Sequence, residues 1–136
     1  DRNVEKSSII MFLHRTIAHW SGNSKACAPV YLRNGRNVEV NGDVIMCSKS
    51  VCLPCGDVYA GDMVLLTNGS IGQVMEFWQS PGCQDVVVRF CEHKRIEGAH
   101  FDLLSHVVID SVGCVVEPMA WFKDSEFIVV CLPLLG

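Results

Sequence analysis

The sequence lacks any hydrophobic run long enough to cross a membrane as a helix. Its longest apolar stretch, residues 127–136, falls well short of the roughly 20 residues that such a helix needs. Charge is also sparse, with 11 Lys and Arg against 15 Asp and Glu, a net charge of -4 and no run of one sign. Phosphate affinity rests on several clustered cations, so the sequence predicts no membrane contact and only weak direct binding of nucleic acid.

The chain starts at Asp1 without an initiator Met or a basic and apolar leader, which predicts a piece of a longer polypeptide. Its 136 residues suit one domain. Hydrophobic residues make up 49% of the chain, which is enough for a core that buries roughly 68% of the unfolded surface. This composition excludes intrinsic disorder.

Eight cysteines would allow four disulfides, but a chain with this much core does not need covalent staples. Cys91, Cys114 and Cys131 lie inside apolar, strand-like runs. We interpret them as buried free thiols, which behave as small hydrophobic side chains in intracellular proteins. The predicted compartment is therefore reducing.

Only the beginning of the chain has helical periodicity. Ser7 and Ser8 can cap a helix, and the apolar residues that follow recur at helical spacing. These apolar residues are Ile9, Phe12, Leu13, Ile17 and Trp20. The pattern predicts that residues 1–28 form an amphipathic helix and linker that pack on the remainder, residues 29–136.

From residue 30 onward the pattern predicts strands. Two Asn-Gly turns, at Asn41-Gly42 and Asn68-Gly69, are typical of tight β-hairpins between apolar runs. The paired runs are 38–40 with 43–46 and 63–66 with 71–78, and further runs lie at 86–90, 106–109, 113–116 and 127–131. Short strands at close spacing with Gly-rich turns favour a small antiparallel barrel or sandwich over parallel βαβ units.

Three of these runs carry a family resemblance. The stretches Val58–Leu66, Ile71–Trp78 and Val86–Phe90 resemble the front half of a bromo-adjacent homology (BAH) domain, over about residues 58–116. In that family a Gly-Asp-x-Val-x-Leu strand precedes an Ile-x-x-Val-x-x-hydrophobic-Trp strand and a Val-x-Arg-aromatic strand. The resemblance implies a mainly β protein: a small antiparallel SH3-like barrel, here with an N-terminal α-helix and an extra β-hairpin.

The resemblance also implies a function. It implies a non-enzymatic, chromatin-reader-like interaction module of a larger nuclear protein, whose partner is a protein or a histone peptide. No Gly-x-Ser-x-Gly, phosphate-loop, dinucleotide or His-Glu-x-x-His motif is present in the sequence. The competing enzyme hypothesis requires one Cys and one His to converge in a cleft.

The candidate partner-binding surface centres on the 71–78 strand. If Phe77 points into the barrel, strand alternation places Glu76 and Trp78 together on the other face. An aromatic face beside a carboxylate attracts a methylated ammonium or a guanidinium through cation–π and charge interactions. Tyr59 and Trp121 could complete this surface. The alternative is that Trp78 packs in the core or against the helix.

A Cys-x-x-Cys turn at Cys52 and Cys55 raises a metal-binding alternative. Two thiolates can share one zinc ion but need a second pair of ligands. Cys91 and His93, two residues apart and therefore on one face of a strand, are the best candidates, with Cys47 in reserve. The competing interpretation is a loop thiol pair without a metal.

A third alternative is a nucleic-acid-binding barrel of the KOW or Tudor kind. Such a barrel would also contain the Gly-Asp hairpin, but it should carry basic residues interleaved with aromatic ones. Only His93-Lys94-Arg95 approaches that pattern.

Overall fold

Antiparallel β-strands account for nearly all regular structure in the computed structural model, which describes residues 31–81 and 84–131. The strands are β1 (Tyr31–Arg33), β2 (Arg36–Val40), β3 (Asp43–Ser48), β4 (Ser50–Leu53), β5 (Gly56–Tyr59), β6 (Met63–Leu66), β7 (Ile71–Gln79), β8 (Val86–His93), β9 (Arg95–Glu97), β10 (His100–Asp102), β11 (His106–Ser111), β12 (Val115–Lys123) and β13 (Phe127–Cys131). A 3₁₀ turn, Val112–Cys114, connects β11 to β12. The all-β prediction is confirmed, whereas the predicted helix and linker of residues 1–28 lie outside the described residues. Within the described ranges, no helix has the length and apolarity needed to span a membrane.

Both predicted Asn-Gly hairpins are confirmed. β2 pairs with β3 across Asn41 and Gly42, whose φ angles of 52° and 85° are the positive values that a tight primed turn requires. β6 pairs with β7 across residues 67–70, where the Ser70 amide donates to Asn68 Oδ1 at 2.9 Å. Local turn chemistry therefore sets both hairpins.

The main sheet contains a four-stranded meander in the order β11-β8-β7-β6. After β11 the chain passes through the 3₁₀ turn, and β12 then pairs with β6 at the opposite edge of the meander. The Thr67 amide donates to the Cys114 carbonyl at 2.9 Å and so ties this turn to the β6–β7 hairpin. The predicted strand at 113–116 is therefore wrong at its start, because Gly113 and Cys114 belong to the turn.

The predicted barrel is not closed. Beyond β12 the main sheet continues through β13, β10 and β9, and β1, β4 and β5 form a separate three-stranded sheet. β12 pairs with β6 only as far as Met119 and then pairs with β13 from Ala120 onward. In the described part of the chain, β11 and β12 are joined by the 3₁₀ turn but do not pair, so the sheet keeps two open ends.

Three apolar clusters fill the structure. The first cluster lies between the small sheet and the meander and includes Val51, Val58, Phe77 and Phe90. The second cluster lies on the opposite face of the meander and consists of Val40, Ile45, Cys47, Trp78 and Val87, with Val38 and Ile109 packed against it. The third cluster joins β6, β7, β10, β12 and β13 and includes Met63, Ile71, Phe101 and Ile128.

A β-bulge in β7 decides which residues reach which cluster. Val74 lies opposite Phe90 and Glu76 lies opposite Arg89, so Met75 is an extra residue in β7. After this bulge, Phe77 points into the first cluster and Trp78 into the second. The prediction that these two residues lie on opposite faces is confirmed.

A substitution at Gly72 tests the close packing between β7 and β8. Gly72 is buried, and a Cβ added there would lie 2.6 Å from Cδ2 of Phe90. We expect Gly72→Ala to lower the free energy of unfolding by about 1–3 kcal/mol, because Phe90 has to move within a filled core. Urea denaturation monitored by circular dichroism measures this change.

Gly113→Ala is the matched control, since the nearest atom to its added Cβ is Ser111 Oγ at 3.7 Å, an ordinary contact. Equal losses of stability in the two variants would contradict the packing of Phe90 against Gly72.

Candidate functional site

The predicted aromatic surface is not formed as expected. Tyr59 and Trp121 are exposed by 49% and 38%, but Trp78 is only 5% exposed and packs in the second cluster. The reason is the extra hairpin: β3 pairs with the outer half of β7, which places Cys47 directly opposite Trp78. The prediction that Trp78 meets a partner at the surface is therefore wrong, and its alternative, packing, is correct.

Glu76 is also engaged within the fold. Its carboxylate lies 2.5 Å from a guanidinium nitrogen of Arg89, the residue directly opposite it on β8. Both side chains are largely buried. The charge of Glu76 is thus compensated by Arg89, and the pair does not leave a lone carboxylate for a ligand ammonium group.

The predicted zinc ligands are not brought together. Within residues 31–81 and 84–131, no group of three or more His, Cys, Asp or Glu side chains is placed to hold a metal ion. Cys52 lies in β4, opposite Asp57, and Cys55 is exposed in the two-residue turn between β4 and β5. The reserve ligand Cys47 belongs to the second cluster.

Cys91 and His93 have other contacts. Cys91 Sγ lies 3.9 Å from Met75 Sδ, and His93 Nδ1 lies 2.9 Å from the carbonyl oxygen of Asp102. The four-ligand prediction is therefore wrong, because strand pairing directs these side chains to different neighbours.

All six cysteines in the described ranges are free thiols, but they are not all buried. Burial raises the pKa of Cys114 to about 12, as expected for a thiol packed in an apolar environment. Cys131, which we predicted to be buried, is exposed at the end of β13.

A cavity of about 390 Å³ opens where the β1–β2 turn meets the β3–β4 junction. The lining residues are Arg33, Asn34, Arg36, Cys47, Ser48, Lys49, Ser50 and Glu76. We name this cavity the basic pocket, because three of its lining residues are cations and one is a carboxylate. Its volume falls within the range of small-ligand sites.

The polar residues of the basic pocket are fixed by the backbone around them. The Ser48 hydroxyl accepts a hydrogen bond from the Ser50 amide at 3.2 Å and contacts the Arg33 carbonyl, which joins β1 to the β3–β4 junction. The Arg33 guanidinium lies 3.2 Å from the Asp57 carboxylate of β5. The pocket wall is therefore held by contacts of β1 with the β3–β4 junction and with β5, the strand at the other edge of the small sheet.

Cys47 forms the apolar side of the basic pocket. Burial, followed by the nearby Glu76 carboxylate, raises the pKa of the Cys47 thiol, and Arg36 and Arg89 oppose this shift only in part. The thiol is protonated at neutral pH, whereas a nucleophilic cysteine needs the thiolate. Cys47 therefore packs the wall, and the chemistry of the pocket lies in its charged and hydroxyl groups.

The basic pocket was not predicted from the sequence. Its one local signal is Arg33-Asn34-Gly35-Arg36, an Asn-Gly turn flanked by two cations. Asn34 has a φ of 51°, as such a turn requires. Lys49 and Glu76 join these cations only through strand pairing.

A second polar cluster surrounds Glu92 at the end of β8. The carboxylate is only 6% exposed, and it accepts a hydrogen bond from Asn68 Nδ2 at 2.9 Å. Lys94 Nζ and His106 Nε2 each lie 3.1 Å from its other oxygen. The Asn68 hydrogen bond, helped by Lys94, lowers the pKa of Glu92 against the opposing effect of burial.

The contacts of Glu92 also bear on the basic segment His93-Lys94-Arg95. Lys94 pairs with Glu92, and Arg95 Nε donates to the Gly98 carbonyl at 2.8 Å. His93 is buried. This segment therefore contributes to the local fold around β8 and β9.

No family model matches the chain, and no curated protein sequence matches it. The candidate site is accordingly defined by the geometry of the described residues.

The contacts of Glu92 predict that the stability of the folded protein depends on pH. Its pKa is lower in the folded state, so its contribution is complete above the ordinary carboxyl pKa and is lost as the pH falls through the lowered value. We expect Glu92→Gln to lose about 1 kcal/mol of unfolding free energy at pH 7 and to show a flatter decline between about pH 5 and pH 3 than the parent protein.

Urea denaturation at several pH values measures both effects. Glu126→Gln, at an exposed position, is the matched control and should follow the parent curve. Parallel curves for Glu92→Gln and the parent would contradict the role assigned to the Asn68–Glu92 hydrogen bond.

Proposed function

We propose that this chain is a non-enzymatic protein-interaction module built on an SH3-like arrangement of β6, β7, β8, β11 and β12. Two features support this proposal: the order of the four-stranded meander, and the 3₁₀ turn that returns β12 to β6. The BAH-like motifs begin at the end of β5, in the small sheet, and continue through β6, β7 and β8 of this arrangement. Association with chromatin and residence in the nucleus are part of the proposal through that resemblance alone.

The ligand we propose is an acidic segment of a partner protein, bound at the basic pocket. The single observation that carries this choice is the convergence of Arg33, Arg36 and Lys49 on one cavity in a chain whose net charge is -4. Guanidinium groups pair with carboxylates through two parallel hydrogen bonds, which gives orientation as well as attraction.

The ligand that we propose is thus an acidic partner segment and not a histone peptide. Recognition of methyl-lysine needs an exposed aromatic face with a nearby carboxylate. Trp78 is buried and Glu76 is paired with Arg89, so the two residues that motivated the histone hypothesis do not support it.

Charge reversal in the basic pocket tests the proposed function. We expect the double variant Arg36→Glu and Lys49→Glu to bind a fluorescent Asp- and Glu-rich decapeptide about tenfold or more weakly than the parent protein, because each attraction becomes a repulsion. Fluorescence anisotropy at low salt and at physiological salt measures the affinity. The affinity should fall with added salt.

The matched control is Lys123→Glu at an exposed position of β12 outside the pocket lining, and it should bind the decapeptide almost normally. A single-stranded DNA oligonucleotide serves as a second probe. Tighter binding of the oligonucleotide than of the peptide would favour the nucleic-acid-binding alternative. Peptide affinity that is unchanged in the double variant would overturn the proposed site.

A further inference from the structure

The basic pocket carries more positive charge than the fold compensates. Glu76 and Arg33 of its lining each have an ion-pair partner outside the lining. Arg36 and Lys49 are the other two cations of the lining. In the described part of the chain, no carboxylate lies within ion-pair distance of either of them. Two positive charges at one cavity are therefore left for a ligand.

Strand pairing gathers the three cations around the junction between β3 and β4. Arg36 starts β2 and lies opposite Cys47, near the end of β3. Arg33 ends β1 and lies opposite Ser50, the first residue of β4. Lys49 is the single residue between β3 and β4. The cations thus come from three separate segments, and the register of two strand pairs positions them.

Ser50 adds a buried hydroxyl group to the pocket. The residue is only 8% exposed, and it lines the cavity. Val51 packs in the first cluster, so strand alternation places the Ser50 side chain on the other face of β4, beside Arg33. In residues 31–81 and 84–131, the Ser48 hydroxyl bonds to backbone groups, whereas no hydrogen bond involves the Ser50 hydroxyl. Buried hydroxyl groups normally have a partner, so the Ser50 hydroxyl indicates a ligand.

We propose that the anion bound in the basic pocket is a phosphorylated side chain of the partner segment. A phosphate monoester carries a charge of about -1.5 to -2 near neutral pH and offers three acceptor oxygens. It therefore matches two uncompensated cations and one hydroxyl donor, whereas a carboxylate brings a single charge and two oxygens. This inference rests on the proposed function, because it names the residue of the acidic segment that enters the pocket.

The three donors have different tasks in this arrangement. A guanidinium group binds two phosphate oxygens at once and so orients the group, which is the task of Arg36. Lys49 supplies a point charge that neutralises the phosphate. Ser50 belongs to the central strand of the small sheet, between β1 and β5, so its hydroxyl group has the most fixed position of the three.

Three fluorescent decapeptides test this inference on the full chain. They share one Asp- and Glu-rich sequence and differ only at a central position, which is serine, phosphoserine or glutamate. Fluorescence anisotropy at physiological salt measures the affinities. We expect the phosphoserine peptide to bind about tenfold more tightly than either of the others, because it adds the charge and the acceptors that the pocket lacks.

Ser50→Ala separates the hydroxyl group from the charges. It should weaken binding of the phosphoserine peptide about threefold or more and leave the glutamate peptide almost unchanged. Ser70→Ala is the matched control, because Ser70 is also buried, at 6% exposed, and lies outside the pocket lining.

Lys49→Gln is a second variant, at an exposed position, and it decides where Ser50→Ala does not fold. It should lower the preference for phosphoserine over glutamate about threefold, because the phosphate carries more charge than the carboxylate.

The outcomes distinguish this inference from the proposed function. Equal affinities for the three peptides, with binding still lost in the Arg36→Glu and Lys49→Glu double variant, would overturn the phosphate and leave the acidic partner in place. Failure of all three peptides to bind contradicts both proposals. A phosphoserine preference that is unchanged in Ser50→Ala and in Lys49→Gln places the phosphate outside the pocket and refutes the inference. Tighter binding to phosphatidylcholine vesicles that contain a phosphatidylinositol phosphate would replace the protein partner with a lipid headgroup.

Discussion

The structure depends on the burial of both faces of β7. Phe77 and Trp78 are adjacent in sequence, point to opposite sides of the sheet and are both almost fully buried. The bulge at Met75 determines which face of the sheet each of these side chains points to. The pairing of β7 with β8 on one edge and with β6 and β3 on the other holds this arrangement in place. A strand with two buried faces needs apolar packing on each side, which explains why the small sheet lies over the first cluster.

Because both faces of β7 are buried, the binding site that we propose does not lie on the predicted aromatic surface. Because β3 continues the sheet beside the outer half of β7, Trp78 becomes part of the interior. On the other edge of β7, Glu76 pairs with Arg89 of β8. The polar groups left at the end of β3 then face the β1–β2 turn, where Arg33 and Arg36 converge. The extra hairpin of β2 and β3 therefore buries part of the predicted aromatic surface, and the end of its strand β3 forms part of the basic pocket.

The sequence predicted those parts of the fold that local chemistry decides. The Asn-Gly turns and the run Phe127–Cys131 carry their own turn and strand signals, and the structure places them as expected. The strands β1, β4, β9 and β10 were missed, because three or four residues contain too little periodicity to mark a strand. The basic pocket was missed because Lys49 and Glu76 lie far from Arg33 in sequence.

The contacts of the basic residues show why the number of cations in a stretch of sequence does not locate a binding surface. The basic segment at residues 93–95 looked like the best cationic feature, but Lys94 pairs with the buried Glu92 and Arg95 caps the turn at Gly98. A buried carboxylate has to be compensated, and Asn68, Lys94 and His106 do this for Glu92, so Lys94 is used for stability. Arg36 starts β2 and Lys49 lies between β3 and β4, so strand pairing, and not proximity in the sequence, brings these two cations to the basic pocket.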